Sequence, residues 1–143
     1  MKIGHVALTG QFSSTGIRLV AVIASFRDLL VWKKSIALAE AAYALSALRP
    51  RQERFEPAAQ IRRAAASVSA NIAEGHNRRA RRAYANHIGI ALGSLAEVES
   101  HVELAIRLQL LDSPEAQHFF EQAAEVNRML HGLARALAEP PGP

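Results

Sequence analysis

Arginine is the residue type that best equips this chain for chemistry. Arg62, Arg63, Arg78, Arg79, Arg81 and Arg82 fall within a span of 21 residues, and each carries a planar, permanently charged fork of donors that matches a phosphate. That pattern points to contact with a nucleic-acid backbone, RNA in particular. Two plainer readings stand beside it: a solvated basic face, or arginines paired with acids of neighbouring helices. No stacking aromatics of an RNA-recognition module accompany the arginines. Binding through them would therefore be sensitive to salt and weakly selective for sequence.

A second group of polar residues sits among small ones. In Gln60–Gly75, QIRRAAASVSANIAEG, the apolar residues Ile61, Ala65, Val68 and Ile72 recur at helical spacing, the mark of one buried stripe. Gln60, Ser67, Asn71 and Glu74 follow the same rhythm on an adjacent stripe, and Gly75 is expected to end the helix. Ser94, Glu97 and His101 share one face of a later helix and invite comparison with a catalytic triad. Side chains on one helix run roughly parallel, however, whereas a nucleophile, its base and an orienting group must converge. These residues read as an interhelix or intersubunit polar seam with Asn71 and Glu74.

Metal chemistry finds little support. A carboxylate-bridged metal site in a helical bundle needs two Glu-x-x-His motifs on separate helices and two further glutamates, and only Glu115-x-x-His118 fits. The chain has no cysteine, which removes disulfides, thiolate chemistry and cysteine zinc sites. No catalytic residue, metal, cofactor or small-molecule substrate is expected, and the protein is read as a non-enzyme.

The elements that must position these residues are helices. The 143 residues suit one domain with a core, and 6% aromatic content with abundant alanine favours closely packed helices over a sandwich of sheets. Helix 1 is expected over 27–48 on Leu29, Trp32, Ile36, Ala39 and Tyr43, with Trp32 and Tyr43 as core or intersubunit anchors. Helix 2 follows over 57–74. Helix 3 spans 79–110 on Tyr84, Ile88, Ala91, Leu95, Val98, Val102 and Ile106. Helix 4 runs to about residue 137 on Phe119, Ala123, Val126, Leu130, Leu133 and Leu137, started by Asp112 or Ser113, Pro114 and Glu115. Arginines at the start of helix 3 oppose its macrodipole, so they need a separate reason or a later helix start. Short connections make this an all-α, antiparallel up-down-up-down four-helix bundle.

The ends read differently. Residues 1–25 mix turn and strand formers without a helical period and are taken as a poorly ordered extension or a start-site artefact. The bundle domain is 26–137 and 138–143 a frayed tail. The apolar run Ile17–Ala24 is well short of the roughly 20 residues that span a bilayer, so no membrane association is expected. Charge is divided along the chain: residues 27–82 hold 12 Lys/Arg against 5 Asp/Glu, and residues 83–143 hold 3 against 8. Such a division suits a polyanion-binding face, or two surfaces that attract each other.

RRAAASVSANIAEG, together with FRDLLVWKKSIALAEAAY (Phe26–Tyr43) and IALGSLAEVESHVELA (Ile90–Ala105), resembles the 23S rRNA intervening-sequence protein family of four-helix bundle proteins. The resemblance covers roughly 26–137. Asn71, Glu74 and Gly75 match its NIAEG element, and Ser94 and Glu97 its GSLAE element. Ser69 stands where the family pattern usually has proline. The resemblance implies a bundle that assembles as a homopentameric ring, and the chain is read as cytoplasmic. Related bundles accompany the reverse transcriptases of diversity-generating retroelements, which adds to the case for RNA. Two functions fit: an RNA-backbone binder using the arginines, or a homo-oligomeric interaction scaffold with no nucleic-acid role.

Overall fold

The computed structural model describes residues 23–47, 55–140 and 142. Residues 1–22 of the expected extension, and the 48–54 link, lie outside the described residues. The domain begins slightly earlier than the sequence suggests, because Ile23 is already buried in the core. Ser25 then starts a single 3-10 turn, Phe26–Asp28: its hydroxyl accepts from the Arg27 amide at 3.2 Å while the Asp28 carboxylate accepts from the Ser25 amide at 3.0 Å. This reciprocal cap fixes the chain's entry into the first helix.

Four helices follow: α1 Leu30–Ser46, α2 Phe55–Asn77, α3 Arg81–Arg107 and α4 Ser113–Ala138. They pack α1 on α2, α2 on α3, α3 on α4 and α4 on α1, the closed square of a four-helix bundle. Contacts between α2 and α3 run in opposite senses along the two helices: Ser67 meets Ser94 and Asn71 meets His87. Arg81 at the start of α3 meets the end of α4, and Arg62 near the start of α2 meets Ser46 at the end of α1.

The core is aliphatic and alanine-rich. Ile61, Ala65, Val68 and Ile72 of α2 are buried, as are Tyr84, Ile88, Ala91, Leu95, Val98 and Val102 of α3. On α4 Phe119, Ala123, Val126 and Leu130 are buried, while Leu133 and Leu137 are half-buried and pack against the edge of the core.

Helix α1 departs from expectation. Its buried stripe is Val31, Ser35, Leu38, Ala42 and Leu45, not the one through Trp32 and Tyr43. Trp32, Ile36 and Ala39 are half-buried on its flank and Tyr43 is exposed, so Tyr43 is no core anchor. The reason is Ser35, a polar residue that interrupts the true stripe in sequence. In the fold its hydroxyl donates to the Trp32 carbonyl at 2.7 Å, so it is buried with its donor satisfied. A helix apolar on two faces has a second stripe that sequence spacing cannot rank.

Helix ends differ for stated reasons as well. Glu115 reaches back to the Asp112 amide at 3.2 Å, completing the expected cap of α4. Helix α3 stops at Arg107 because Gln109 takes φ of 60°, with the Gln109 amide donating to Ile106 and the Leu110 amide to Ala105. This is the left-handed termination that glycine usually supplies. Gln109→Gly should therefore raise stability by about 1 kcal/mol, seen as a melting-temperature gain of a few degrees. No gain would mean the glutamine side chain compensates for its backbone.

Candidate functional site

A chain of polar contacts crosses the α2–α3 interface. The Ser94 and Ser67 hydroxyls lie 2.8 Å apart. Asn71 Nδ2 donates to the Ser67 carbonyl at 2.8 Å and to its hydroxyl at 3.1 Å. Asn71 Oδ1 faces His87 Nδ1 at 3.2 Å. With the amide nitrogen committed to Ser67, Oδ1 must accept, so His87 Nδ1 carries the proton. His87 Nε2 then faces Glu74 Oε1 at 3.7 Å, and Glu74 accepts from Arg78 Nη2 at 2.8 Å. The seam thus runs from buried hydroxyls to an exposed ion pair.

Gly75 makes that convergence possible. It lies inside α2, not at its end, and is buried; a Cβ there would sit 2.8 Å from His87 Cβ and 2.8 Å from the Tyr84 ring. The expected role as a helix terminator is therefore corrected: the glycine allows two backbones to approach. Tyr84 is held neutral beside it, since burial pushes its phenol up to about 12.

Sequence spacing puts Asn71, Glu74 and Ser94 in one seam, and the structure brings them together through Ser67 and His87. Glu97 is not part of it. It pairs instead with His101 at 3.6 Å, and Ser94 turns to Ser67, so Ser94, Glu97 and His101 do not converge. His87 is the residue the sequence conceals; its spacing of seven from Ser94 is the signal, because both then face α2. Neither serine hydroxyl bonds to the imidazole, so the arrangement holds two helices in register and does not present a base-activated nucleophile. No cluster of three His, Asp or Glu side chains able to hold a metal occurs among the described residues.

The six arginines divide into two groups. From Arg62 to Arg78, the residue just past the end of α2, is about 24 Å at the helical rise, so they do not form one face. Arg62 donates to Ser46 Oγ at 2.7 Å and lies 5.2 Å over the Tyr43 ring, pinning α1 to α2. Arg63 is exposed beside a groove between α2 and α3. At the other end, Arg81 donates to the carbonyls of Leu137 at 2.8 Å, Glu139 at 2.6 Å and Ala136. It closes the α4 C-terminus, where a cation meets the negative end of the helix. That answers the macrodipole conflict: α3 begins only at Arg81, and that arginine serves a different helix. Arg81→Ala should cost about 1–2 kcal/mol and speed amide exchange over the last turn of α4, whereas Arg79→Ala should do neither. Equal exchange in both variants would remove the capping role.

Arg79 and Arg82 are exposed and make no ion pair among the described residues, and Arg78 pairs only with exposed Glu74. The same end carries Arg27 from the turn before α1, Lys33 from the start of α1 and Arg135 from the end of α4, against the acids Asp28, Glu74 and Glu139. Glu97, Glu103, Asp112, Glu115 and Glu121 lie toward the opposite end. Folding thus converts the charge division along the sequence into polarity along the bundle axis. None of the described helices is long and apolar enough to cross a membrane.

Comparison with known proteins gives two results. Residues 27–132 match the family described as 23S rRNA-intervening sequence protein. A solved structure from Bacteroides thetaiotaomicron VPI-5482, described as a protein with unknown function from the S23 ribosomal protein family, is similar at TM-score 0.69 and 28% identity, over 74% of this chain and 99% of that one. No curated protein matches the chain.

Proposed function

This chain belongs to the 23S rRNA-intervening sequence protein family, and from that premise we propose that it is a cytoplasmic, non-enzymatic, self-associating bundle that binds the RNA backbone. Arg79 and Arg82 make the principal contacts, and Arg78 joins them when it leaves Glu74. The observation that carries this reading is the pair of exposed guanidinium groups at the basic end, neither of them in an ion pair among the described residues. In this charge balance they are better suited to phosphate than to protein acids. Arg62 and Arg81 are withdrawn from the binding face because both are committed to helix packing. Arg63, at the other end, belongs to a different surface.

The test is anisotropy of a fluorescent single-stranded RNA across a salt series. Arg79→Ala/Arg82→Ala should weaken binding about tenfold or more at low salt. It should also flatten the plot of log affinity against log salt by about 0.7 for each phosphate that is no longer neutralised. Wild-type protein that fails to bind at low salt would sink the reading. The remaining function would then be a homo-oligomeric interaction scaffold, which is favoured by the exposed apolar side chains of α1 and α3. Five copies is the number that the family resemblance leads us to expect.

A further inference from the structure

Glu74 stands between two cationic partners of different kinds. Its Oε1 accepts from Arg78 Nη2 at 2.8 Å, and the same oxygen lies 3.7 Å from His87 Nε2. The Arg78 pair joins neighbouring turns through side chains that are 52% and 53% exposed, a contact that water and salt loosen readily. The imidazole is held differently: it is 14% exposed, and its Nδ1 is fixed on Asn71 Oδ1 at 3.2 Å. With the Nδ1 proton given to Asn71, the neutral ring turns a bare Nε2 toward the carboxylate. Two acceptors that face each other keep apart, which accounts for a separation longer than a hydrogen bond.

Protonation at Nε2 reverses that contact. Imidazole is the side chain whose charge changes between about pH 5 and 8. The imidazolium then offers Nε2–H to Glu74 from a position with little water, where a charged pair is least screened. We infer that His87 controls the third phosphate contact of the basic end: as the ring gains a proton it draws Glu74 toward α3, and Arg78 is released to RNA. His87 is thus a positioning residue acting through Glu74, and RNA binding strengthens as pH falls. The ring's other titratable neighbours are few. On α3 they are Arg82 and Tyr84, and from α2 His76 lies across the Tyr84 ring at 6.0 Å between centroids. Among the described residues no hydrogen bond or ion pair joins His87 to α4, whose charged and titratable residues near this level are Arg128, His131 and Arg135. The inference rests on the RNA-binding reading above and adds its regulation.

Anisotropy of the fluorescent single-stranded RNA, read across a salt series at about pH 8 and about pH 5.5, tests it. One further neutralised phosphate steepens the salt slope by about 0.7 and, at 0.1 M salt, tightens binding about fivefold. Wild type should show both changes on acidification. His87→Asn keeps an amide nitrogen opposite Asn71 but cannot take up a proton, and it should lose the gain. Arg78→Ala should lose it too. Glu74→Gln, which frees Arg78 at either pH, should bind at the higher pH as wild type binds at the lower. Circular dichroism at both pH values checks that each variant is helical. A gain undiminished in His87→Asn overturns control by His87, and one undiminished in Arg78→Ala overturns release of Arg78. Wild type that binds equally at the two pH values overturns the switch and leaves the RNA reading standing. Wild type that binds at neither overturns the RNA reading, and the switch with it.

Discussion

Gly75→Val should destabilise the bundle by about 3 kcal/mol, and even Gly75→Ala should cost about 1–2 kcal/mol. The alanine result has a sign opposite to the ordinary helix rule, because replacing glycine by alanine within a helix usually gains up to about 1 kcal/mol. Here the added Cβ would lie 2.8 Å from His87 Cβ and from the Tyr84 ring. Neither neighbour can swing aside cheaply. His87 Cβ is fixed to the α3 backbone, and Tyr84 is buried with its ring edge toward His76 at 6.0 Å between centroids. Relief requires α2 and α3 to separate, which lengthens the contacts from Asn71 and Glu74 to His87. Urea denaturation reads the destabilisation, and an alanine variant as stable as wild type would show that the helices can part without penalty.

The bundle is legible in the sequence because three helices each have one apolar stripe. On α2, α3 and most of α4, residues at helical spacing are the residues that become buried. Helix α1 is legible as a helix but not in its orientation, since Ser35 breaks the buried stripe while Trp32 and Tyr43 mark the flank. The local satisfaction of Ser35 by the Trp32 carbonyl cannot be seen in a hydropathy pattern. Gly75 misleads for a related reason. A glycine near the end of a periodic segment looks like a terminator, and only the neighbouring helix reveals that its missing side chain makes room.

Arginines are legible as charge and illegible as geometry. Closeness in sequence suggests a single patch, but a helix carries Arg62 and Arg78 to opposite ends of the bundle. Arg81, identical in chemistry to Arg79 and Arg82, is committed to the α4 C-terminus, a contact 56 residues away in sequence. Spacing within α3 cannot anticipate that. The polar seam is half visible: Ser67, Asn71, Glu74 and Ser94 stand out as polar residues at helical intervals, whereas His87 gains meaning only once α3 faces α2.

If the seam is one connected unit, Asn71→Leu should cost about 2–3 kcal/mol. The Asn71 amide answers both Ser67 and His87: Nδ2 serves the Ser67 carbonyl and hydroxyl, and Oδ1 serves His87 Nδ1. Leucine fills similar space but leaves the half-buried imidazole proton without its acceptor. Leaving one partner unsatisfied costs more than the hydrogen bond itself contributes. A recovery is expected as well. Removing the imidazole in the same chain, as Asn71→Leu/His87→Leu, replaces two mutually dependent polar groups with two apolar ones. The double variant should therefore be more stable than the sum of the single effects by about 1 kcal/mol. Chemical denaturation of all four proteins supplies the cycle. Strict additivity would mean that Asn71 and His87 act separately, and that Asn71 contributes to α2 through packing alone.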